Sequence, residues 1–361
     1  MNELRFYILM IVILPLTIKG QDYRYSQFYN APLLLNPALT GEPNTDYRLN
    51  ANYKTQWSAI SDAYKTVSAS YDMPMFEDLN GISKMGLGLS FLSDKAGSTN
   101  YGFTNINLSA AYHIKSNRYN KLSAGLLVGY GQSSVDLSDV KWESQHNGNN
   151  HDPSAASGES VFVDQIRYLD AGLGVYWTLF DPEYGRKYEL GLSVMHVNFP
   201  NHSFKGKNQE RLNPKIQLHA GIDLEFYRFI LKPKLHIMNQ GPSYYFNIGS
   251  LVRFELSDKP DSRYTDAYVS SAFDLGLFYR YNESIMITAQ YEFKRKLLIA
   301  LSYDYTISEL SAISSSGGYE IALKYQGMFK NQKIKIRGKM DKEKKDKPKG
   351  KRKKNAPNIR M

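Results

Sequence analysis

Fourteen stretches of this chain alternate apolar and polar residues, and they follow one another almost without a break from residue 47 to residue 326. In the clearest stretch, 216–226, six apolar side chains fall on one face: Ile216, Leu218, Ala220, Ile222, Leu224 and Phe226. Successive side chains of a strand point to opposite faces, so each stretch predicts a strand with one apolar and one polar surface. Most stretches have about nine to twelve residues, the length that a β-barrel strand needs to cross a bilayer.

The pattern therefore predicts an all-β fold, a transmembrane antiparallel β-barrel of about 14 strands that occupies residues 47–327. The predicted strands are 47–57, 64–73, 84–92, 103–115, 121–133, 166–180, 187–198, 213–227, 229–239, 243–257, 270–281, 284–294, 296–306 and 318–327.

The lengths of the connections between these strands depend on whether the connection is odd-numbered or even-numbered along the chain. The longest, 134–165 and 199–212, are the fifth and seventh, whereas even-numbered connections such as 116–120 and 181–186 are short. Outer-membrane barrels have long extracellular loops and short periplasmic turns, so the sorting predicts periplasmic N- and C-termini. Two connections depart from the rule, 258–269 as a long inner turn and 282–283 as a short outer loop.

Charged and aromatic residues of the strands fall on opposite faces. A charge that faces lipid costs about 2–4 kcal/mol at mid-membrane, and the strand charges all lie opposite the apolar face: Asp170, Asp223, Glu225, Arg253, Glu255, Asp274, Arg280, Glu292, Asp304, Glu320 and Lys324. Amphipathic rings favour the lipid–water interface, and many lie on the apolar face near strand ends: Tyr47, Tyr53, Trp57, Tyr112, Tyr130, Trp177, Tyr244, Phe246, Tyr279, Tyr281, Tyr291, Phe293, Tyr303 and Tyr305. Both distributions favour a hydrated lumen inside outer-membrane lipid.

The first 20 residues predict a secretory signal peptide. Arg5 precedes an apolar run from Phe6 to Leu16, and Gly20 offers a small residue for cleavage. An uncleaved anchor helix is the alternative, but the run is short and Pro15 interrupts it. The chain has no cysteine, which excludes a lipoprotein and a disulfide framework.

The C-terminal 34 residues carry the charge of the protein. Residues 328–361 contain 15 basic and 3 acidic residues, whereas the rest of the chain contains 30 basic and 32 acidic ones. The block 339–354, which includes Lys349, Lys351, Arg352, Lys353 and Lys354, is too hydrophilic to pack and predicts a disordered basic tail. In the periplasm this tail would reach peptidoglycan or a periplasmic protein, and export removes any contact with nucleic acid.

No catalytic, cofactor-binding or metal site is predicted. The seven histidines have no metal-ligand spacing, and there is no nucleophile elbow or phosphate-binding loop. His113, His219 and His236 lie on polar faces and are predicted to line the lumen. His196 falls on an apolar face near a strand end, which predicts an interfacial position.

The segment after the signal peptide, 21–46, is not strand-like. It contains three prolines and a series of apolar residues that should be buried: Tyr23, Tyr25, Phe28, Tyr29, Leu33, Leu34 and Leu35. Two locations satisfy this requirement, the lumen or the periplasmic rim, so the segment is either a plug or a strap that docks a partner.

The same segment carries a family resemblance. Ser26-Gln27-Phe28-Tyr29, Pro32 and Asn36-Pro37, followed by Gln56-Trp57 at the end of the first strand, resemble the N-terminal signature of the PorP/SprF family. The likeness continues as amphipathic strands to about residue 327. The family consists of outer-membrane components of type IX secretion and the linked gliding machinery, so the resemblance implies a non-enzymatic protein that works with periplasmic components or helps to export and anchor a surface adhesin. The basic tail is not part of the family pattern.

On this basis, loops 134–165 and 199–212 are predicted to hold an exported protein, and the N-terminal segment and tail to meet periplasmic machinery. A passive or substrate-specific porin and a structural barrel tethered to peptidoglycan through its tail are the alternatives.

Overall fold

The computed structural model describes residues 22–43, 45–56, 64–78, 81–96, 101–135, 165–204, 210–256, 271–308 and 317–329. Within these ranges fourteen antiparallel strands form one closed barrel, in which each strand pairs with its neighbours in sequence. The strands are β1 (Tyr47–Gln56), β2 (Tyr64–Glu77), β3 (Ser83–Ala96), β4 (Tyr101–Lys115), β5 (Asn120–Ser134), β6 (Gln165–Asp181), β7 (Arg186–Met195), β8 (Lys215–Glu225), β9 (Ile230–Gln240), β10 (Ser243–Glu255), β11 (Ala272–Arg280), β12 (Ser284–Phe293), β13 (Leu297–Thr306) and β14 (Gly318–Gly327).

The first and last strands close the barrel. β1 pairs with β14 in an unbroken register from Tyr47 opposite Gly327 to Gln56 opposite Gly318. Because every strand has two partners, no edge is left to pair with another chain. The predicted 14-stranded antiparallel barrel is confirmed, and most boundaries differ from the prediction by one to four residues.

The two faces of the wall differ as the alternation predicts. On β4, the outward Leu108 is 65% exposed, whereas its neighbour Asn107, which points into the lumen, is 7% exposed. The charged residues predicted for the polar face all lie at lumen-facing positions of their strands. A bilayer surrounds the apolar exterior without cost, because acyl chains are the solvent that such a surface prefers.

The barrel has two rims. We call the rim where β1 begins and β14 ends the terminal rim; turns 182–185, 226–229 and 294–296 lie there. The opposite one, with turns 241–242 and 281–283, is the far rim. No helix among the described residues is both long and apolar enough to cross a membrane.

Before β1 the chain makes three short helical turns, a 3₁₀ turn Phe28–Asn30, the helix α1 (Pro32–Leu35) and a second 3₁₀ turn Pro37–Leu39. Pro32 and Pro37 each occupy the first helical position, where a missing N–H costs nothing and the fixed φ favours the turn. Almost all side chains of residues 25–41 are buried, because this stretch runs inside the barrel.

Candidate functional site in the barrel lumen

Residues 22–43, which we call the lumenal segment, cross the barrel from one rim to the other. Asp22 contacts Lys215 and Gln240, which lie at the far-rim ends of β8 and β9. Twenty residues later, Glu42 contacts Lys121 at the terminal-rim end of β5. The described residues therefore begin near the far rim and end at the terminal rim.

A cluster of charges holds the far-rim end of the segment. His196 lies between two carboxylates, with Nε2 3.0 Å from Asp22 Oδ2 and Nδ1 2.9 Å from Asp170 Oδ1, and Lys215 Nζ is 3.4 Å from Asp22. Burial alone would lower the pKa of His196, but Asp22 and Asp170 raise it to about 9. Burial alone would raise the pKa of Asp22, but Lys215 and His196 hold it well below its usual range.

The interfacial position predicted for His196 is wrong. β7 ends at Met195, and the backbone of His196 has a φ of 59°, which interrupts the alternation. Its side chain is consequently 3% exposed and faces the lumen rather than lipid. His113, His219 and His236 line the lumen as predicted, and all three contact the lumenal segment.

Ser26 contacts several charged side chains in the half of the lumen nearer the far rim. Its hydroxyl donates to Asp304 Oδ2 at 2.5 Å and accepts from Lys54 Nζ at 3.0 Å and Arg280 Nη2 at 2.9 Å. Its backbone N–H donates to Glu320 at 2.7 Å. All of these groups are buried, so each charge depends on the others for compensation.

The next three signature residues pack against β9 to β14. Gln27 donates through Nε2 to Ser302 Oγ at 3.2 Å. Phe28 belongs to a buried apolar cluster with Leu35, Leu251, Phe278 and Met286. Tyr29 stacks on Phe278 with ring centroids 5.5 Å apart, and its hydroxyl accepts from Gln290 at 3.2 Å. This half of the segment thus fills an aromatic slot in the wall.

Asn36 and Pro37 contact the opposite wall at mid-height. The side chain of Asn36 donates to the carbonyl of Val175 at 2.9 Å and accepts from Ala38 N at 2.9 Å, which caps the second 3₁₀ turn. The close approach requires glycine on the wall. A Cβ atom at Gly125 would lie 2.4 Å from Ala38 N, and one at Gly174 would lie 2.0 Å from Asn36 Oδ1.

Three wall residues fix the terminal-rim end. Thr40 Oγ1 donates to Ser109 Oγ at 2.8 Å, and the N–H of Gly41 donates to Asp72 at 2.7 Å. Glu42 forms an ion pair with Lys121. Burial alone would raise the pKa of Glu42, but Lys121 above all lowers it to about 2.

The spaces beside the segment are small. One lies toward β8–β10 and another toward β3–β6. In each, the volume within which the centre of a water molecule can move is about 20 Å³. A volume of that size holds about one water molecule. The lumenal segment therefore leaves little free space in the far half of the barrel.

Other predicted site residues lie outside this arrangement. Gln56 ends β1 and lines a polar cavity at the far rim with Arg280 and Ser284. Trp57, the predicted loop 134–165 beyond its ends, and the tail residues 330–361 lie outside the described residues. Described parts of 199–212 fold back on the far rim, where Leu212 N donates to the carbonyl of Pro200 and His202 Nε2 lies 2.8 Å from Ser133 Oγ.

Several residues that hold the segment were not singled out from the sequence. They are Ser109, Lys121, Gly125, Gly174 and Gln217. The sequence showed only that these positions face the lumen; it did not show their partners, which lie 69 to 182 residues away. Among the described residues no group of three His, Cys, Asp or Glu side chains is arranged to hold a metal ion.

Comparison with known protein sequences points to one family. The model of a family described as type IX secretion system membrane protein PorP/SprF matches residues 17–325, most of the chain. The chain belongs to the PorP/SprF family. The PorP/SprF resemblance of the N-terminal motif is thereby confirmed. No curated protein sequence matches the chain.

Solved structures similar to this PorP/SprF protein are distant in sequence. A deletion mutant of the TodX monoaromatic hydrocarbon channel has a TM-score of 0.48 at 11% identity, with 83% of this chain and 94% of the other covered. A Pseudomonas aeruginosa FadL homologue has a TM-score of 0.43 at 9% identity, with coverages of 82% and 94%. The KdgM porin has a TM-score of 0.35 at 9% identity, with coverages of 77% and 98%.

Proposed function

We propose that this PorP/SprF protein is a non-enzymatic outer-membrane component of type IX secretion whose own N-terminal segment closes the lumen. In this role it holds an exported surface protein at the far rim and meets periplasmic machinery at the terminal rim. The proposal rests on family membership and on one structural observation, that the lumenal segment contacts every strand of the barrel.

These contacts go round the whole wall. One contacting residue from each strand, from β1 to β14, is Lys54, Ser68, Lys84, Ser109, Lys121, Val175, Ser193, Lys215, Gln240, Ser243, Phe278, Gln290, Asp304 and Glu320. A passage for solutes needs an unobstructed path beside the segment. Contacts on all sides favour a closed lumen over a porin, and direct attention to the rims as the binding surfaces.

The terminal rim suits the periplasmic side. The described chain leaves β14 there, with Phe329 N donating to Asp46 Oδ2 at 2.5 Å, and the basic residues 330–361 follow. A tail of that charge attracts acidic surfaces over about a Debye length, 8–10 Å at ordinary ionic strength. An acidic face of a periplasmic secretion component or peptidoglycan is its proposed partner.

Site-directed crosslinking in the native host tests this assignment, because the chain contains no cysteine of its own. Pro242→Cys places a single thiol in a far-rim turn, and Arg228→Cys places one in a terminal-rim turn. With a short thiol-reactive photocrosslinker, the Pro242→Cys protein is expected to capture an exported surface protein and the Arg228→Cys protein a periplasmic one. Capture of the surface protein only from the terminal rim, or of no protein from either rim, contradicts the proposal.

Two rival functions predict different results. A porin gives steady ion conductance in planar bilayers without any change to residues 22–43. A structural barrel tethered by its tail co-sediments with peptidoglycan and loses that property when residues 339–361 are removed, while capture at the far rim fails.

A further inference from the structure

The lumen wall binds the lumenal segment largely through its backbone. Near the far rim, Lys54 Nζ donates to the carbonyl of Arg24 at 2.8 Å. The carboxylate of Glu320 accepts from the backbone N–H groups of Ser26 and Gln27, at 2.7 and 3.1 Å. Both wall residues are about 1% exposed, so these bonds are made away from bulk water.

The same kind of contact recurs at mid-height. Ser193 Oγ donates to the carbonyl of Leu35 at 2.7 Å, and Gln217 Nε2 donates to that carbonyl at 3.1 Å. Both wall side chains are buried. They satisfy the last carbonyl of α1, which has no partner of its own within the helix.

Backbone contacts continue to the terminal rim. His113 Nε2 lies 2.8 Å from the carbonyl of Thr40, and Asp72 accepts from the N–H of Gly41 at 2.7 Å. Lys84 Nζ donates to the carbonyls of Glu42 and Pro43 at 2.7 and 3.0 Å. The wall therefore carries a row of polar groups that pair with the backbone of one polypeptide from rim to rim.

Backbone groups are common to all polypeptides, so such a row is not restricted to one sequence. We infer that the lumen wall is a binding site for a polypeptide segment, which residues 22–43 occupy in this structure and which a segment of an exported protein enters when they withdraw. The identification of the occupant as exported protein rests on the proposed function; the site itself does not.

The wall also limits which segments fit. Phe278, Leu251 and Met286 form the slot for Phe28, and Gly125 and Gly174 admit a narrow turn such as Asn36-Pro37. Lys215 at the far rim and Lys121 at the terminal rim each pair with a carboxylate of the segment. The favoured ligand is as long as residues 22–43 and forms similar short turns, with an aromatic residue toward the far rim, a small-residue turn in the middle and an acid at each end.

The way the segment is attached allows it to leave. It continues into β1 only at the terminal rim, and Gly41, with a φ of 66°, lies at that junction. At the far rim it is held by noncovalent contacts, among them those of Asp22, Arg24 and Ser26. Breaking these contacts frees one end while the barrel wall stays closed.

The exchange of the lumenal segment for another polypeptide can be tested in the full-length protein with a disulfide that holds the segment in place until it is reduced. Ser26 Oγ and Asp304 Oδ2 are 2.5 Å apart in the half of the lumen nearer the far rim, so Ser26→Cys with Asp304→Cys places two sulfurs within reach of a disulfide, whose S–S length is about 2.05 Å. Asp22→Ala and Glu42→Ala are added to weaken the tethered segment, which otherwise competes at an effective concentration of about millimolar. The probe is a fluorescent synthetic peptide with the sequence of residues 22–46.

The reduced protein in detergent is expected to bind this peptide at least about tenfold more tightly than the oxidised protein. The control pair Ser93→Cys with Thr104→Cys links β3 to β4, where the two hydroxyls are 3.3 Å apart, and leaves the segment free. With the same two alanine substitutions, it should bind equally when oxidised and reduced. Equal binding by both forms of the Ser26–Asp304 pair, or no binding by the reduced form, overturns the inference.

A second probe isolates the backbone contacts. Methylation of the peptide nitrogens of Ser26 and Gln27 removes the two donors to Glu320 and should weaken binding at least about tenfold. Replacing the side chain of Leu39, which is only half-buried, by alanine keeps all backbone donors and should weaken it less. The reverse order contradicts recognition through the backbone. Failure to capture a surface protein at the far rim would refute the proposed function but leave peptide exchange unaffected.

Discussion

The amide nitrogen of Asn36 lies 3.2 Å from Nε2 of His219, near the middle of the lumen. Asn36 belongs to the family signature, and His219 is one of the lumen-facing residues of β8. Their contact shows that the signature residues 26–37 face the inside of the barrel rather than a partner at the rim. The predictions below follow from this internal position.

Replacing Asn36 by leucine is expected to loosen the middle of the lumenal segment. The change removes the bonds to Val175 and to Ala38 N and leaves His219 without this partner. An unmade buried bond costs about 1–3 kcal/mol. Hydrogen exchange of residues 33–40, followed by mass spectrometry, should quicken while exchange in β4 and β5 does not. Unchanged exchange in the segment would contradict the prediction.

Filling the space at Gly125 tests the close approach of the segment to the wall. Gly125→Val places a side chain where Ala38 and Pro37 now lie, and overpacking of this kind costs about 1–3 kcal/mol. The matched control is Ala124→Val, one residue away on the lipid-facing side of β5. Current fluctuations in planar bilayers should increase for Gly125→Val only. Equal behaviour of the two variants would place the segment elsewhere.

Comparing two similar ion pairs distinguishes effects on barrel stability from effects on how firmly the wall holds the lumenal segment. Arg48 binds Asp72 through two bonds of 2.9 Å, and Arg253 binds Asp274 through bonds of 2.8 and 3.1 Å. Removing one partner of a buried pair costs about 3–5 kcal/mol, so Asp72→Ala and Asp274→Ala should both lower Tm.

Only Asp72 also accepts from Gly41 N. Asp72→Ala alone should therefore make the terminal-rim end of the segment accessible to a protease added to the purified protein. Cleavage in both variants would indicate a general loss of structure.

The far-rim charge cluster predicts a pH dependence. The pKa of His196 is raised to about 9 from an unfolded value of 6.5, so its contribution to stability is complete below about pH 6.5 and is lost as the pH rises through about 9. Asp22, Asp170 and Lys215 are the charged groups around it. NMR titration of the labelled imidazole should give a pKa near 9 in the native chain and a lower one in Asp22→Asn. An unshifted titration in both would exclude the ion pair.

The sequence predicted the strands of the barrel wall because the bilayer requires an alternation of apolar and polar residues along each strand. Along a strand such as β8, every second side chain must suit acyl chains, and that requirement is local and therefore readable. His196 was misplaced because the alternation was extended past Met195, where a left-handed backbone conformation reverses the direction of the side chain.

The course of residues 22–43 was not readable in the same way. Proline and apolar content showed that the segment should be buried, but the groups that receive it lie far away in sequence, such as Asp304 for Ser26, 278 residues on. Gly125 and Gly174 look like ordinary strand glycines until Asn36 and Ala38 are placed against them. These long-range contacts determine that the segment runs from the far rim to the terminal rim.

Ion conductance of the purified full-length protein, compared with a variant that lacks residues 22–46, examines whether the segment closes the barrel. A 14-stranded wall without its contents encloses a wide lumen, so the shortened protein should conduct steadily while the native chain does not. Equal steady conductance by the two proteins would contradict closure by the lumenal segment.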